Sequence, residues 1–295
     1  MSSVHESVLL NETVLGLNLE STQDSLVVDT TFGGGGHSIH VLKTHPLSKV
    51  VATDQDKGAW DRAAYKFKDF IDRISFLNLN FREIGGLDIN PDGVMMDLGL
   101  SSDQLDNSGR GFTFRKNEPL LMTMMENPGE DDLTAREIVN TWDAENIEAI
   151  LRGYGEEKFA KRIATGIAEA REITPIENTF DLVAVIEDSV PGFYKRGKIH
   201  PATRTFQALR MAVNDEMNTL RLGLEGSFKI LKSGGRLAVI SFHSGEDRIV
   251  KNFFKDRAIS KEGILINKKP ILPSAEEIKN NKRSRSAKLR IIQKN

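Results

Sequence analysis

The chain has 295 residues, 39% hydrophobic and 28% charged, with a net charge of −2 and no cysteine. That composition belongs to a soluble globular protein and not to a disordered one. The missing cysteines exclude disulfides, thiolate zinc sites and a cysteine nucleophile.

No apolar run approaches the ~20 residues that span a bilayer, and Met1-Ser-Ser-Val-His-Glu6 lacks the basic-plus-apolar pattern of a signal. The expectation is a cytoplasmic protein without membrane contact. The charge is unevenly placed. Residues 251–295 hold 13 Lys+Arg against 4 Asp+Glu, about +9, and the rest holds 27 against 38, about −11. A basic tail on an acidic body suits a polyanionic partner, or is a solvated charged face.

In chain order, Val8 to Leu19 has apolar residues at 8, 9, 10, 14, 15, 17 and 19, a short helix or ordered lead-in. Leu26 to Val28 reads as a buried strand ending in Asp29, followed by four glycines (33–36) and a helix to about Lys43. Strands at 50–54, 74–79 and 93–97 follow, with a helix from about Lys57 to Phe70 between the first two. Strands alternating with helices predict a parallel, doubly wound α/β sheet. The alternation stops after Ser102. Helical patterns near 134–139, 145–151, 156–171 and 179–189 predict an all-helical insertion. His200-Pro201 reopens the main domain with a long helix from about Ala202 to Leu231. A fifth strand at 236–242, a helix at 246–254 and two last strands at 264–266 and 288–292 complete the chain. The expected division is 1–103, first part of the main domain; 104–199, helical insertion; and 200–295, second part with the basic segment.

Glycines between a strand and a helix let the backbone turn sharply and approach a ligand closely. In open α/β sheets ligands bind beyond the carboxyl ends of the strands. Asp54, about 20 residues past the turn, is placed to accept hydrogen bonds from ribose hydroxyls. The dinucleotide fingerprint is not met, because Ser38 stands where its third glycine belongs. Asp29 directly before the turn favours a cationic cofactor such as S-adenosylmethionine. Asp97-Leu-Gly-Leu-Ser-Ser102, after the fourth strand, offers a carboxylate and hydroxyls to a substrate amine, or a capped strand exit. In Ser241-Phe-His-Ser-Gly-Glu-Asp-Arg248, His243 is a general base or a local hydrogen-bonding group, and Ser244 is a plausible N-cap with Asp247 at the third helical position. Gly109-Arg-Gly-Phe-Thr-Phe-Arg115 mixes arginine and phenylalanine as single-stranded RNA sites do, or is pinned by Phe112 and Phe114. Arg204 lies at a helix start, a ready anion site or an ordinary cap. His37 and His40 lack a third ligand, so no metal is assigned.

These stretches together resemble the ribosomal small-subunit methyltransferase H family (RsmH, also called MraW) nearly end to end. The motifs are His5-x-x-Val-Leu-Leu10, Asp29-x-Thr-Phe-Gly-x-Gly-Gly-His-Ser38, Asp97-Leu-Gly-x-Ser-Ser102, Gln104-Leu-Asp106 and Arg110-Gly-Phe-x-Phe114. Further on come Tyr154-Gly-Glu-Glu157, Phe159-Ala-Lys-Arg-Ile-Ala164, His200-Pro-Ala-Thr-Arg-Thr-Phe-Gln-Ala208, Ile240-Ser-Phe-His-Ser244 and Glu246-Asp-Arg248. The resemblance implies a Rossmann-like class I S-adenosylmethionine-dependent methyltransferase fold, with the insertion serving RNA recognition. It implies methyl transfer from S-adenosylmethionine to the exocyclic N4 of a cytidine in the decoding (P-site) region of 16S rRNA, within the small ribosomal subunit. It leaves a homodimer open.

Carried over by position, the cofactor contacts fall on Gly35, Gly36, His37, Asp54, Phe81, Asp97 and Gln104, with Phe81 packing the adenine. Asp97 is the first catalytic candidate, then His243 and Ser241. The chain departs from the family pattern at Leu121 and Thr123, commonly Asp and Arg, at Gly34, usually Arg, and at Gly245, usually Leu. The segment between about Arg257 and Lys282 is also shorter than in many members.

Three other readings compete. A DNA amino-methyltransferase usually shows Asp/Asn-Pro-Pro-aromatic where this chain has Asp97-Leu-Gly-Leu. An NAD oxidoreductase lacks its third glycine here. A non-catalytic RNA-binding assembly factor with a relic cofactor site would bind RNA without transferring methyl.

Overall fold

A computed structural model describes residues 7–100, 105, 107–125, 128–129 and 132–295. The chain divides into two compact units, 1–99 with 217–295, and 100–216.

The first unit is built on a seven-stranded sheet in the order β3-β2-β1-β4-β5-β7-β6. The strands are β1 (Ser25–Asp29), β2 (Ser48–Asp54), β3 (Ile74–Asn78), β4 (Gly93–Asp97), β5 (Arg236–Ser241), β6 (Gly263–Leu265) and β7 (Lys288–Lys294). β1 to β5 pair in parallel, and β7 runs antiparallel between β5 and β6. This is the Rossmann-like methyltransferase sheet that the resemblance implies.

Alternate residues face opposite sides of a strand, and this chain is apolar on both. Val27, Met95, Ala238 and Ile240 enter one core with α1 (Leu10–Leu17), α2 (Gly36–Thr44) and α3 (Lys57–Ala63). Val28, Val94, Met96, Leu237 and Val239 enter a second core on the other side, with residues of the helices 216–230 and 244–259. The helix expected from 57 to 70 leaves α geometry at Ala63 and continues as a 3₁₀ stretch, Ala64–Arg73, which buries Phe67.

A 3₁₀ turn, Phe81–Gly86, packs against the helix 216–230 almost backbone to backbone. A Cβ on Gly85 would lie 2.8 Å from Gly226 Cα, and one on Gly226 would lie 2.7 Å from Gly85 N. No helix among the described residues is long and apolar enough to cross a membrane.

The second unit holds α4 (Ala135–Thr141), α5 (Ala144–Gly153), α6 (Ala160–Arg171), α7 (Thr179–Ser189), α8 (Gly192–Lys195) and α9 (Ala202–Val213) around its own core. The helix expected from 202 to 231 is two helices, α9 and α10 (Glu216–Ile230). Asp215, with φ of 45°, lies in the left-handed region and separates them. α9 buries Ala202, Phe206, Ala208 and Leu209 in the helical core, so it belongs to the second unit and the boundary lies at 216 rather than 200.

α11 (Ser244–Ile259) is fastened to β7 by charge. Asp247 Oδ1 accepts from Arg290 Nε at 2.7 Å, and Oδ2 from Lys288 Nζ at 3.2 Å. Burial alone would raise the Asp247 pKa, but Arg290 and Lys288 hold it below the usual value. Its stabilisation is therefore present above the unfolded carboxylate's pKa and is lost as pH falls through the folded one. Replacing Asp247 by Ala strands the largely buried Arg290, so we expect a loss of about 3 kcal/mol in urea unfolding at neutral pH. The deficit should fade in acid; a constant deficit would exclude the ion pair as its source.

Candidate active site

The parallel register brings Asp29, Asp54 and Asp97 to the carboxyl edge at the ends of β1, β2 and β4, and the glycine turn is folded over that edge. Gly33 (φ 50°) and Gly35 (φ 72°) occupy the left-handed region that side chains disfavour. The Gly33 N–H donates to Asp54 Oδ2 at 2.8 Å, and the Phe32 N–H to the Thr53 carbonyl at 3.0 Å. Phe32 sits among Trp60, Phe67 and Phe76 with ring centroids 5.6–5.7 Å away. A Cβ on Gly35 would reach 2.7 Å from the Phe67 ring, and one on Gly36 would overlap the Ser7 hydroxyl. Lys66 Nζ donates to the Gly34 carbonyl at 2.9 Å. Gly34 itself is not in the left-handed region, so the turn does not require glycine there.

The three acids differ in how they are held. Asp29 accepts from Ser38 Oγ at 2.6 Å and from the Thr31 N–H at 3.2 Å. Burial nevertheless pushes its pKa up to about 6. Asp54 Oδ1 accepts from the Asp56 N–H at 2.9 Å, and burial raises its pKa as well. Each Asp54 oxygen has taken one donor, leaving capacity for ribose hydroxyls.

The Asp97 N–H donates to Thr31 Oγ1 at 2.7 Å, so Thr31 ties β4 to the turn. Among the described residues Asp97 Oδ1, which is enclosed, has no hydrogen-bond partner, while a quarter of its side chain is open to solvent. Asp97 Oδ2 lies 3.8 Å from His37 Nδ1. His37 Nε2 is 3.1 Å from the Val8 carbonyl, which can only accept, so Nε2 carries the proton. Burial, then Asp29 and Glu246, hold the Asp97 pKa well above the usual carboxylate range. An edge with three such carboxylates favours a bound cation. Glycine turn, ribose acceptors and acids thus suit a cationic nucleoside such as S-adenosylmethionine.

The other expected residues fall as follows. Phe81 opens the 3₁₀ turn after β3, half-buried, with its ring directly against Gly223 of α10. Ser241 ends β5; it is buried, and its Oγ is 3.5 Å from the Lys288 carbonyl on β7. His243, not Ser244, caps α11: Nδ1 accepts from the Glu246 N–H at 3.4 Å. Glu246, not Asp247, closes the box by accepting from the Phe242 and His243 N–H groups. His243 has the extended backbone a cap needs, and Glu246 is three residues on. His243 Nε2 is 3.2 Å from Glu246 Oε1 but not aligned for a hydrogen bond. Gln104, Ser101 and Ser102 lie outside the described residues.

In the helical unit Arg110, Phe112 and Phe114 of the Gly109–Arg115 loop pack against the protein, and Arg115 is exposed. Arg110 is buried and donates to the Met124 and Met125 carbonyls at 2.8 Å. Phe112 is in the core, and Phe114 stacks on His200 at 4.6 Å. Asn214 accepts from the Met124 N–H and donates to the Met122 carbonyl, so backbone contacts hold the segment carrying Leu121 and Thr123. Arg204 donates to the Glu156 carbonyl at 3.0 Å. Thr31, Ser38, Lys66 and Glu246 were missed from sequence; only Glu246, at capping-box spacing from His243, left a readable signal.

Because the folded Asp29 pKa lies above the unfolded one, its carboxylate destabilises the native state fully only above about pH 6. That penalty is about 3 kcal/mol. Asp29→Asn should therefore melt at a higher temperature than the parent at neutral pH, with the gap closing as pH falls. A gap that ignores pH would reject this account.

A curated relative, "Ribosomal RNA small subunit methyltransferase H" of Carboxydothermus hydrogenoformans, is 44% identical over 316 aligned residues, covering 100% of this chain and 99% of the relative. Among solved structures, a provisionally assigned rRNA-methylase of Clostridium thermocellum aligns over 99% of this chain and 100% of its own at 13% identity and a TM-score of 0.47. An rRNA methylase of Streptococcus thermophilus aligns over 99% of each at 11% identity and 0.45. Likenesses that distant say nothing about chemistry. The model of the MraW methylase family matches residues 2–295. With a full-length family match and a full-length relative at that identity, the chain belongs to the MraW methylase family.

Proposed function

We propose that this protein is a cytoplasmic 16S rRNA (cytosine-N4)-methyltransferase, acting on a cytidine of the decoding region in the small ribosomal subunit. The methyl donor is S-adenosylmethionine, which supplies an electrophilic methyl group when bound. Family membership supports methyl transfer, and the relative named as a small-subunit rRNA methyltransferase supports the substrate. The helical unit is assigned to RNA recognition.

The observation that carries the reading is the enclosed Oδ1 of Asp97 at the end of β4, which has no hydrogen-bond partner among the described residues. Cytosine N4 is a weak nucleophile because its lone pair is delocalised into the ring. Asp97 Oδ1 accepts an N4 N–H, which localises electron density on the nitrogen and receives the proton that the methylated amine must lose. The raised pKa of Asp97 makes it a stronger base than an ordinary carboxylate. Asp54 and Phe81 hold the nucleoside of the cofactor, and the turn at Gly35, Gly36 and His37 shapes its seat. His243 and Ser241, at the neighbouring strand end, are second to Asp97 as candidates for base contact or proton removal, with His243 fixed as the α11 cap and Ser241 buried against β7. Positioning and electrostatics supply most of the acceleration.

Incubation with labelled S-adenosylmethionine and small subunits lacking the modification should label one cytidine at N4. Cofactor binding without label in RNA would leave the non-catalytic assembly factor as the better reading. Asp97→Asn should lower kcat by about 100-fold or more, with S-adenosylhomocysteine affinity changed far less. Full turnover in that variant would remove Asp97 from the chemistry.

A further inference from the structure

The basic segment that precedes β7 plays no part in the site described above. Its placement follows from the sheet. β7 is antiparallel, so its first residue, Lys288, pairs with Ser241 at the carboxyl end of β5. The 3₁₀ turn Lys282–Ser286 therefore runs into the same edge on which Asp29, Asp54 and Asp97 end. Lys288 is two strands from Asp97 in the order β4-β5-β7, about 10 Å across the sheet. α12 (Ala275–Asn280), which leads into the turn, is tied to the same wall: Glu277 Oε1 accepts from the Leu9 N–H at 2.8 Å, and the neighbouring Val8 carbonyl holds His37.

The turn has one buried and one charged side. A 3₁₀ helix brings every third residue to one face. Ser284 and Ala287 are buried, with Ser284 Oγ bonded to the Asn281 carbonyl at 2.8 Å. Lys282 and Arg285, again three apart, are exposed, as is Lys279 at the end of α12. Among the described residues no carboxylate pairs with Lys279, Lys282 or Arg285, whereas Lys288 and Arg290 are spent on Asp247. Lys282 and Arg285 lie about 6 Å apart along the turn, comparable to one nucleotide step. An RNA strand entering an edge lined by three carboxylates meets repulsion, which nearby unpaired cations offset.

We infer that Lys279, Lys282 and Arg285 form a phosphate-binding rim that holds the backbone of single-stranded RNA beside the methyl-transfer edge. The inference rests on the rRNA-methyltransferase reading and adds to it the segment that grips the substrate backbone.

The test uses the full chain and a short fluorescein-labelled single-stranded RNA, with binding followed by anisotropy between about 50 and 200 mM salt. In the variant Lys279→Ser/Lys282→Ser/Arg285→Ser, affinity should fall about 10- to 100-fold and the salt slope should drop by about 2. S-adenosylhomocysteine affinity and melting temperature should stay at parent values. The exchange Lys282→Arg/Arg285→Lys keeps the charge and should keep RNA affinity.

Unchanged RNA affinity and slope in the serine variant would overturn the rim. So would loss of binding in the charge-preserving exchange, or parent affinity for polyglutamate equal to that for RNA, which would point to an acidic protein partner. If the parent methylates small subunits but the serine variant binds RNA normally, only the rim fails. If the parent neither binds RNA nor transfers methyl to subunits, the functional reading fails and the rim with it.

Discussion

Three carboxylates brought to one sheet edge set the terms for everything around them. Burial first, and then the like charge of a neighbouring acid, makes Asp29, Asp54 and Asp97 all hold protons more tightly than usual. The surrounding backbone is arranged as donors toward them. Gly33 turns its N–H to Asp54, Thr31 and Ser38 serve Asp29, and the hydroxyl of Thr31 receives the N–H of Asp97. Those bonds require the chain to double back within a few residues, and the left-handed conformations at Gly33 and Gly35 are the result. Among the described residues, Oδ1 of Asp97 alone of these acids' buried oxygens is left without a donor. The edge is thus built to be completed by something positively charged or rich in N–H groups.

Most of the sheet was legible because its strands state their period and their ends. Val27 and Val28, or Met95 and Met96, are apolar on successive positions because each faces a different core, and that doubled burial is what a parallel sheet writes into a sequence. What was not legible involves local competition. Nothing at Val213-Asn214-Asp215 is glycine or proline, so apolar periodicity ran on through a break that Asp215 makes with its own backbone. The loop 109–115 looked like a nucleic-acid site because arginine and phenylalanine serve packing and recognition equally well. Arg110 turned out to satisfy two backbone carbonyls, a need that only the folded chain reveals. At the start of α11 the cap was misplaced by one residue, since histidine is an unusual cap and serine a common one.

The helical unit shows where much of its distinctive sequence goes. Glu157 is buried, accepts the Tyr194 hydroxyl at 2.7 Å and receives the Phe159 N–H, while Gly155 lets the Arg204 carbonyl approach. Tyr194, sheltered and facing that carboxylate, has its pKa pushed up to about 12. Asn214 braces the loop carrying Leu121 and Thr123 through the loop's backbone, the Thr123 hydroxyl accepts from the Met125 N–H, and Leu120 and Met122 anchor it in the core. Residues that would read as recognition elements are in large part architecture, and a motif's chemistry is decided by what it touches.

The glycines of α10 differ in a way that bears on how this chain can drift over generations. Gly226 meets the backbone of Gly85, and Gly85 meets the backbone of Gly226. No substitution elsewhere can make a backbone smaller, so neither position has a compensating partner and neither can be explored by stepwise change. Gly223 meets the ring of Phe81, which is a side chain and can be exchanged. A larger residue at 223 is open to a lineage that first accepts a smaller one at 81. Two glycines one turn apart on the same helix thus carry different histories in prospect: one is frozen by a backbone, and the other can change only together with Phe81, as far as the cofactor's nucleoside lets that residue change.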